Sequence, residues 1–367
     1  MSGERDWYSP DVFPELRERP PWVMEEMVAS EPELLEGIAT GADTAAAALV
    51  VRGAGPVEVV GCGTSEHAAM GVTAMLAEAG VAAAPRQAFE AALDPRGEGA
   101  VLAVSHEGGT WATAEALAAA RAAGARTALI TARPEGAAAR HADAVLTTPA
   151  VDRSWCHTVG YISPLSAGYA LAAAASGGRA DAAAAGRLVA AGRETWEAAK
   201  AAAGRLHGCS RLLIAGSGAD RTSARELTLK IEEACHLPTS MRNLETLLHG
   251  HLPATDETTG VVIVLCDRRA RKPRTERART ALAACARIGI ACAVITTDPD
   301  LADLAPAGVL AVPEAEGLPA AASALLGAAV PLQLLTLELA HARGTNPDLI
   351  RREQAPYREA AKIVEGG

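Results

Sequence analysis

Short apolar runs alternate with longer alanine-rich stretches along most of the chain. VEVVGC (57–62), AVLAVS (100–105), TALIT (127–131) and AVLTTP (144–149) are continuously apolar, the pattern of parallel strands covered on both faces. Helical spacing follows the first two, over about 66–80 and 110–123. After a long helical region at roughly 162–203 the same order starts again. RLLIAGSG (211–218), VVIVLC (261–266), CAVIT (292–296) and VLAVP (309–313) read as strands, with helices predicted over 221–236 and about 274–288. Upstream, PWVMEEMVASEPELLEGI has helical spacing, with Ser30 the predicted cap of a helix starting at Glu31-Pro32. The alternation predicts an α/β protein: two doubly wound parallel-sheet domains in tandem, each a three-layer αβα unit with right-handed crossovers. They are expected at 38–190 and 195–340, between an N-terminal helical segment (1–37) and a C-terminal tail (341–367).

Composition supports a large core, since 49% of residues are hydrophobic and only 21% are charged. Aromatics are just 3%, so alanine, leucine and valine supply the apolar volume. A net charge of −10 without a basic patch argues against a nucleic-acid partner. The polar opening MSGERDWYSP does not read as a signal peptide, and the Ala-rich run around 317–339 falls short of a membrane span. Seven cysteines, an odd number without a CxxC pair, support neither a disulfide framework nor a zinc site. A reduced, cytoplasmic location is the expectation that follows.

In open parallel sheets, ligands bind at the carboxyl ends of strands, where helix N-termini present free N–H groups. Three loops of the first half sit there: GCGTSEH (61–67), SHEGGT (105–110) and DRSWCHTVGYIS (152–163). Their hydroxyls and small residues suit an oxygen-rich ligand, although Ser and Gly before a helix are also ordinary caps. GCGTS is not a dinucleotide fingerprint, because GxGxxG fails at Glu66, and GSGADR (216–221) fails likewise. In the second half Glu226, Lys230 and Glu233 share one helical face by their i, i+4, i+7 spacing. That face is either chemical or simply solvated and salt-bridged. His249 and His251 lie two apart, but no third ligand is spaced to join them, so no metal is expected.

Taken together these segments resemble the sugar isomerase (SIS) domain family in its tandem form, over nearly the whole chain. The segments are MEEMVASEPELL, VVGCGTSEHAA, AVSHEGGT, ELTLKIEEACHLPTSMRNLETLLHGHL and GTNPDLIR, in the family's order. The chain resembles the isomerase half of glucosamine-6-phosphate synthase, and also fructosamine-phosphate deglycases and amino-sugar isomerases. The resemblance implies a substrate site built from Cys62, Gly63, Thr64 and Ser65, then Ser105, His106, Glu107, Gly108 and Thr110, with His157 and Thr158 from the third loop. It implies Glu233 as the carboxylate that moves a proton between two carbons of an enediol(ate), with Lys230 a turn earlier. His249 matches the histidine that assists ring opening and reaches the neighbouring subunit's site, which implies a homodimer or larger assembly. Lys362 in AAKIV is the candidate for the lysine that the tail, closing over the site, places over the sugar. The partner is then a small sugar or sugar phosphate, and the chemistry requires neither cofactor nor metal.

The departures bear on substrate. Glu107 stands where the family's phosphate loop has a second hydroxyl, and His106 where it has a glutamine. A carboxylate beside a phosphate is costly in a low-dielectric pocket. His251 replaces the family's usual proline, and no lysine accompanies His157. The chain opens Met1-Ser2 with no cysteine nucleophile, so the glutamine-driven synthase reaction is not expected of it. Two readings stay open: an isomerase or deglycase of a sugar or amino sugar, phosphorylated or not, and a SIS-type sensor that binds sugar without turnover. Glu107 itself either meets an altered ligand end, a hydroxyl or an amine, or points to solvent.

Overall fold

Strands form where the apolar runs lie, because their residues are buried on both faces. In the computed structural model, which describes residues 15–53 and 55–365, the chain opens with helices α1 (Val23–Gly41) and α2 (Ala45–Val51). The first half continues with β1 (Val57–Gly61), α3 (Thr64–Glu78), β2 (Ala83–Gln87), α4 (Ala88–Leu93), β3 (Ala100–Val104), α5 (Trp111–Ala122), β4 (Arg126–Thr131) and β5 (Ala144–Thr147). Three helices then fill the predicted long helical region: α6 (Val159–Ala175), α7 (Ala182–Gly192) and α8 (Trp196–Leu206). The second half repeats the scheme with β6 (Arg211–Gly216), α9 (Asp220–Cys235), β7 (Thr239–Asn243), α10 (Leu244–Leu248), β8 (Thr259–Leu265), α11 (Arg271–Ile288), β9 (Ala291–Thr296) and β10 (Gly308–Ala311). Helices α12 (Ala320–Arg343) and α13 (Ala355–Glu365) follow.

Each half holds a five-stranded sheet, ordered β2-β1-β3-β4-β5 and β7-β6-β8-β9-β10, and every pairing is parallel. The expected α/β architecture of two tandem doubly wound units is therefore present. Sequence patterning misses β2 and β7. Both are edge strands, AAPRQ and TSMRN, and much of each is open to solvent, so neither needs an apolar run. Pro85 is accommodated because β2 pairs on one side only.

The halves share one apolar core, which runs from Trp22 in the first segment to Ala340 in α12 and takes in residues of both sheets. Helices α3, α6, α9 and α12 pack on one another at its centre. By length and composition α12 could cross a bilayer, more than the sequence suggests for 317–339, but that stretch is wholly buried inside the protein. Its apolarity is that of a core helix.

Helix α1 runs unbroken through Pro32, so the predicted start at Glu31 is not a boundary. Ser30 does not cap; its hydroxyl donates to Met27 O at 2.7 Å. The apolar face of α1, with Met24, Val28, Leu35 and Ile38 buried, continues across the proline against α6 and α7, and that packing outweighs the break. The true cap comes from the far end of the chain: the Asp348 carboxylate accepts from Val23 N and Met24 N, both at 2.8 Å. Residues 1–14 of the expected N-terminal segment lie outside the described residues.

Candidate active site

The first sheet reverses its strand order between β1 and β3, and the crevice over their carboxyl ends is where such sheets bind ligands. Loop 61–64 leaves β1 so tightly that a Cβ on Gly61 would lie 2.4 Å from Ser65 O, which sets Thr64 and Ser65 at the first turn of α3. Across the crevice, Gly108 turns the loop after β3 with φ +65°, and its N–H donates to Ser105 O at 3.1 Å.

The third loop is organised by Asp152, which patterning does not single out. Its carboxylate accepts from Ser154 N at 3.1 Å, Thr158 N at 2.6 Å and Gly160 N at 3.0 Å. Its own N–H donates to His106 Nε2 at 2.8 Å, tying the second loop to the third. His106 therefore carries its ring proton on Nδ1, a buried atom with no hydrogen-bond partner. Burial and the His157 ring, 5.6 Å away between centroids, push the His106 pKa down to about 4. Burial does the same to His157, also to about 4. Both imidazoles are neutral at physiological pH and supply no cation for an anionic ligand.

Helix α9 forms the floor. Glu226, Lys230 and Glu233 share a face as their spacing predicts, but that face is not solvated: Glu226 and Lys230 are fully buried. Glu226 accepts from Thr64 Oγ1 at 3.3 Å and pairs with His67 Nδ1 at 2.7 Å, and Lys230 Nζ stands 3.8 Å away. Lys230 Nζ also donates to Glu233 at 2.5 Å. Burial alone would raise the Glu226 carboxyl, but Lys230 and His67 outweigh it and hold it below its ordinary value. Burial would lower the Lys230 ammonium, yet Glu233 and Glu226 hold it above its ordinary value. For Glu233 burial prevails, and its carboxyl is raised despite Lys230. With a side chain 23% exposed against 1% for the other two, Glu233 is the member of the triad that reaches open space.

That space is a cavity of about 320 Å³. Its walls are Cys62, Thr64 and Ser65 from the first loop, His106, Glu107 and Thr110 from the second, and Trp155 and His157 from the third. Glu233 closes the floor, and Ile350 and Arg352 of the tail close the top. Glu107 is exposed at the cavity edge. Of the other sequence candidates, Lys230 sits behind Glu233, while Gly63, Ser105, Gly108 and Thr158 support the loops without lining the cavity. The Ser105 hydroxyl is buried without a partner. His249 is not brought in: it is exposed at the end of α10 and pairs with Glu245 at 2.7 Å. Lys362 is exposed on α13 and pairs with Glu359 at 3.0 Å. The tail cation at the cavity is instead Arg352, stacked 4.4 Å from the Trp155 ring centroid. Patterning misses it, although it directly follows the GTNPDLIR segment (344–351). His251 Nδ1 accepts from Arg242 Nε at 3.2 Å. Among the described residues no three His, Cys, Asp or Glu side chains group to hold a metal.

The second sheet has the same reversal between β6 and β8, but its crevice is filled from within. Asp220 accepts from Cys266 N and Asp267 N, both at 2.9 Å, and Asp267 pairs with Arg269 and Arg274. The Arg274 guanidinium lies where a Cβ on Gly218 would be, 2.4 Å away. Burial raises the Asp220 pKa to about 7, from an ordinary 3.8. The native state thus binds more protons than the unfolded chain between those values, so stability falls as pH rises through that window and stays lowered above it. In Asp220→Asn the new amide replaces the unpartnered Oδ1 and no charge is buried. Its melting temperature relative to wild type is expected to rise between about pH 5 and about pH 8, by the equivalent of roughly 1.4 kcal/mol per pKa unit relieved. A constant difference in thermal melts across that range would refute the assignment.

Residues 52–174 match the SIS domain family, which agrees with the resemblance read from the sequence. No curated protein sequence matches the chain. In fold the chain is similar to the C-terminal domain of glucosamine-fructose-6-phosphate aminotransferase from Francisella tularensis, with a TM-score of 0.78 at 19% identity over 91% of this chain and 99% of that one. It is also similar to tagatose-6-phosphate ketose/aldose isomerase from Escherichia coli, with a TM-score of 0.75 at 18% identity over 90% and 95%. Glucosamine-6-phosphate deaminase from Thermotoga maritima gives 0.66 at 19% over 89% and 96%. At such identities the likenesses establish the fold alone, two parallel-sheet α/β domains in tandem.

Proposed function

We propose that this protein is an enzyme acting on a sugar or amino sugar, an aldose–ketose isomerase or deglycase that works through an enediol(ate). The observation that supports it most is the Lys230–Glu233 pair at the base of a hydroxyl-lined cavity. The reaction needs one base within reach of two adjacent carbons, able to take a proton and return it. Glu233 has the required exposure, and its raised pKa makes it a better proton acceptor than an ordinary carboxylate. Lys230, held protonated behind it, fixes the carboxylate. Thr64, Ser65, Thr110 and the His106 Nδ1–H offer hydrogen bonds to sugar oxygens. The neutral histidines and the acid Glu107 weigh against a phosphate at the second loop, while Arg352 of the tail puts a cation elsewhere in the cavity wall. The test is solvent-deuterium incorporation at C1 or C2 during incubation with ketoses, aldoses and 1-amino-1-deoxyketoses, with and without a 6-phosphate. Ligand-induced thermal stabilisation without incorporation from any of them would make the protein a sensor instead.

The reading extends to a homodimer, or larger assembly, in which His249 of one copy serves the other's cavity and assists ring opening. Its support is that His249 is exposed on its own subunit and outside that subunit's cavity. His249→Gln is expected to slow turnover of ring-closed sugars by about a hundredfold or more, the range of a lost acid–base group. A catalytically competent monomer in sedimentation and activity measurements would sink this reading.

A further inference from the structure

Lys230 carries one positive charge and lies between two carboxylates, Glu233 at 2.5 Å and Glu226 at 3.8 Å. With both carboxylates ionised, the three groups hold a surplus of negative charge in the interior. A buried lysine matched to a single glutamate makes an inert ion pair, and the carboxylate in it is a poor base. The surplus changes that, because a proton arriving on Glu233 ends its repulsion with Glu226. Burial raises the Glu233 carboxyl, Lys230 lowers it, and the Glu226 charge raises it again.

The basicity of Glu233 therefore depends on Glu226 staying ionised, although Glu226 is fully buried. The groups that face Glu226 from the third loop and α6 supply no charge. Burial lowers His157 to about 4 and raises the Cys156 thiol and the Tyr161 hydroxyl, so all three are neutral at physiological pH. Besides Lys230, support comes from the first turn of α3. Thr64 Oγ1 donates to Glu226 at 3.3 Å, and His67 Nδ1 lies closer, at 2.7 Å. An ionised carboxylate only accepts, so Nδ1 carries the proton in that contact. His67 has no second task in view: it does not line the cavity, it makes no other side-chain hydrogen bond among the described residues, and its side chain is 12% exposed.

We propose that His67 is a positioning residue for the reaction: its bond keeps Glu226 ionised, and the ionised Glu226 shares Lys230, so that Glu233 stays basic enough to take a proton from carbon. This rests on Glu233 being the proton shuttle. His67 acts through Glu226 and touches no substrate. The arrangement fixes the sign of each change. Without the His67 bond, burial raises Glu226 toward protonation. Lys230 then answers to Glu233 alone and lowers its pKa, which weakens it as a base.

The experiment is the pH–rate profile of sugar-dependent deuterium exchange by the full chain. His67→Leu is expected to move the acid limb to lower pH by about one pH unit and to lower the plateau by about tenfold. His67→Asn, whose amide N–H can take the place of Nδ1–H, should restore both. Glu226→Gln should move the limb in the same direction, and adding His67→Leu to it should move the limb no further. The position of a limb does not depend on how much of a variant is folded. A limb that stays in place or rises in His67→Leu, that His67→Asn fails to restore, or that moves again in the double variant would overturn the proposal. A loss of stability in His67→Leu with the limb unmoved would make the His67–Glu226 pair a structural tie between α3 and α9, and also overturn it. In each of these cases exchange abolished by Glu233→Gln leaves the role of Glu233 intact. Exchange that survives in Glu233→Gln, or none from wild type with any sugar, overturns both.

Discussion

Glu233→Gln is expected to lower sugar-dependent deuterium exchange by about a hundred- to ten-thousand-fold while leaving the fold intact, the range for losing a positioned base. The amide oxygen can still accept from Lys230 Nζ, and Lys230 keeps Glu226 as a counter-ion at 3.8 Å. The variant therefore loses basicity without leaving a buried charge unpaired. The wild-type rate should fall as pH is lowered through the Glu233 pKa, because only the ionised carboxylate accepts a proton. Burial raises that pKa, so the acid limb of the pH–rate profile lies above the ordinary carboxylate range. Exchange that survives in Glu233→Gln would remove this residue from the mechanism.

Replacing Lys230 should cost more in stability than any other single change at the site. The ammonium is fully buried and lies between two carboxylates. Lys230→Met removes the cation and leaves Glu226 and Glu233 facing each other in the interior. Breaking a buried pair in this way costs about 3–5 kcal/mol. Without the cation, burial raises both carboxyls, and protonation relieves the repulsion. The deficit should therefore shrink as pH falls, and Glu226→Gln in the same chain should recover part of it. Urea denaturation at neutral and mildly acidic pH measures both effects. A deficit that does not change with pH would mean that lost packing, rather than charge, is responsible. Activity of Lys230→Met that survives folding should show its acid limb moved to higher pH, since Lys230 lowers the Glu233 pKa.

The same residues show what a sequence can disclose about a site. Strands β1, β3, β4, β6, β8 and β9 are legible because two covered faces demand continuous apolar residues. Edge strands β2 and β7 face solvent along much of their length, and no such demand marks them. The i, i+4, i+7 spacing puts Glu226, Lys230 and Glu233 on one face whatever surrounds the helix. Whether that face is solvated or chemical depends on what packs against it, and here Thr64 and His67 arrive from 159 to 162 residues away. Likewise, the three first-half loops could be placed at strand ends, but the bond from Asp152 N to His106 Nε2, which fixes a tautomer, could not.

By itself, then, the sequence determined the two parallel sheets, the order of the loops over the first crevice, and the polar face of α9. Periodicity and turn chemistry are local properties, and they suffice for these. Tertiary structure alone decided that the second crevice is closed by Asp220, Asp267 and Arg274, and that α1 is capped by Asp348 from 325 residues away. It also decided that Arg352 reaches the cavity while Lys362 does not. Each of those depends on charges and donors brought together by the packing of distant segments, where burial rather than sequence neighbourhood sets the free energy.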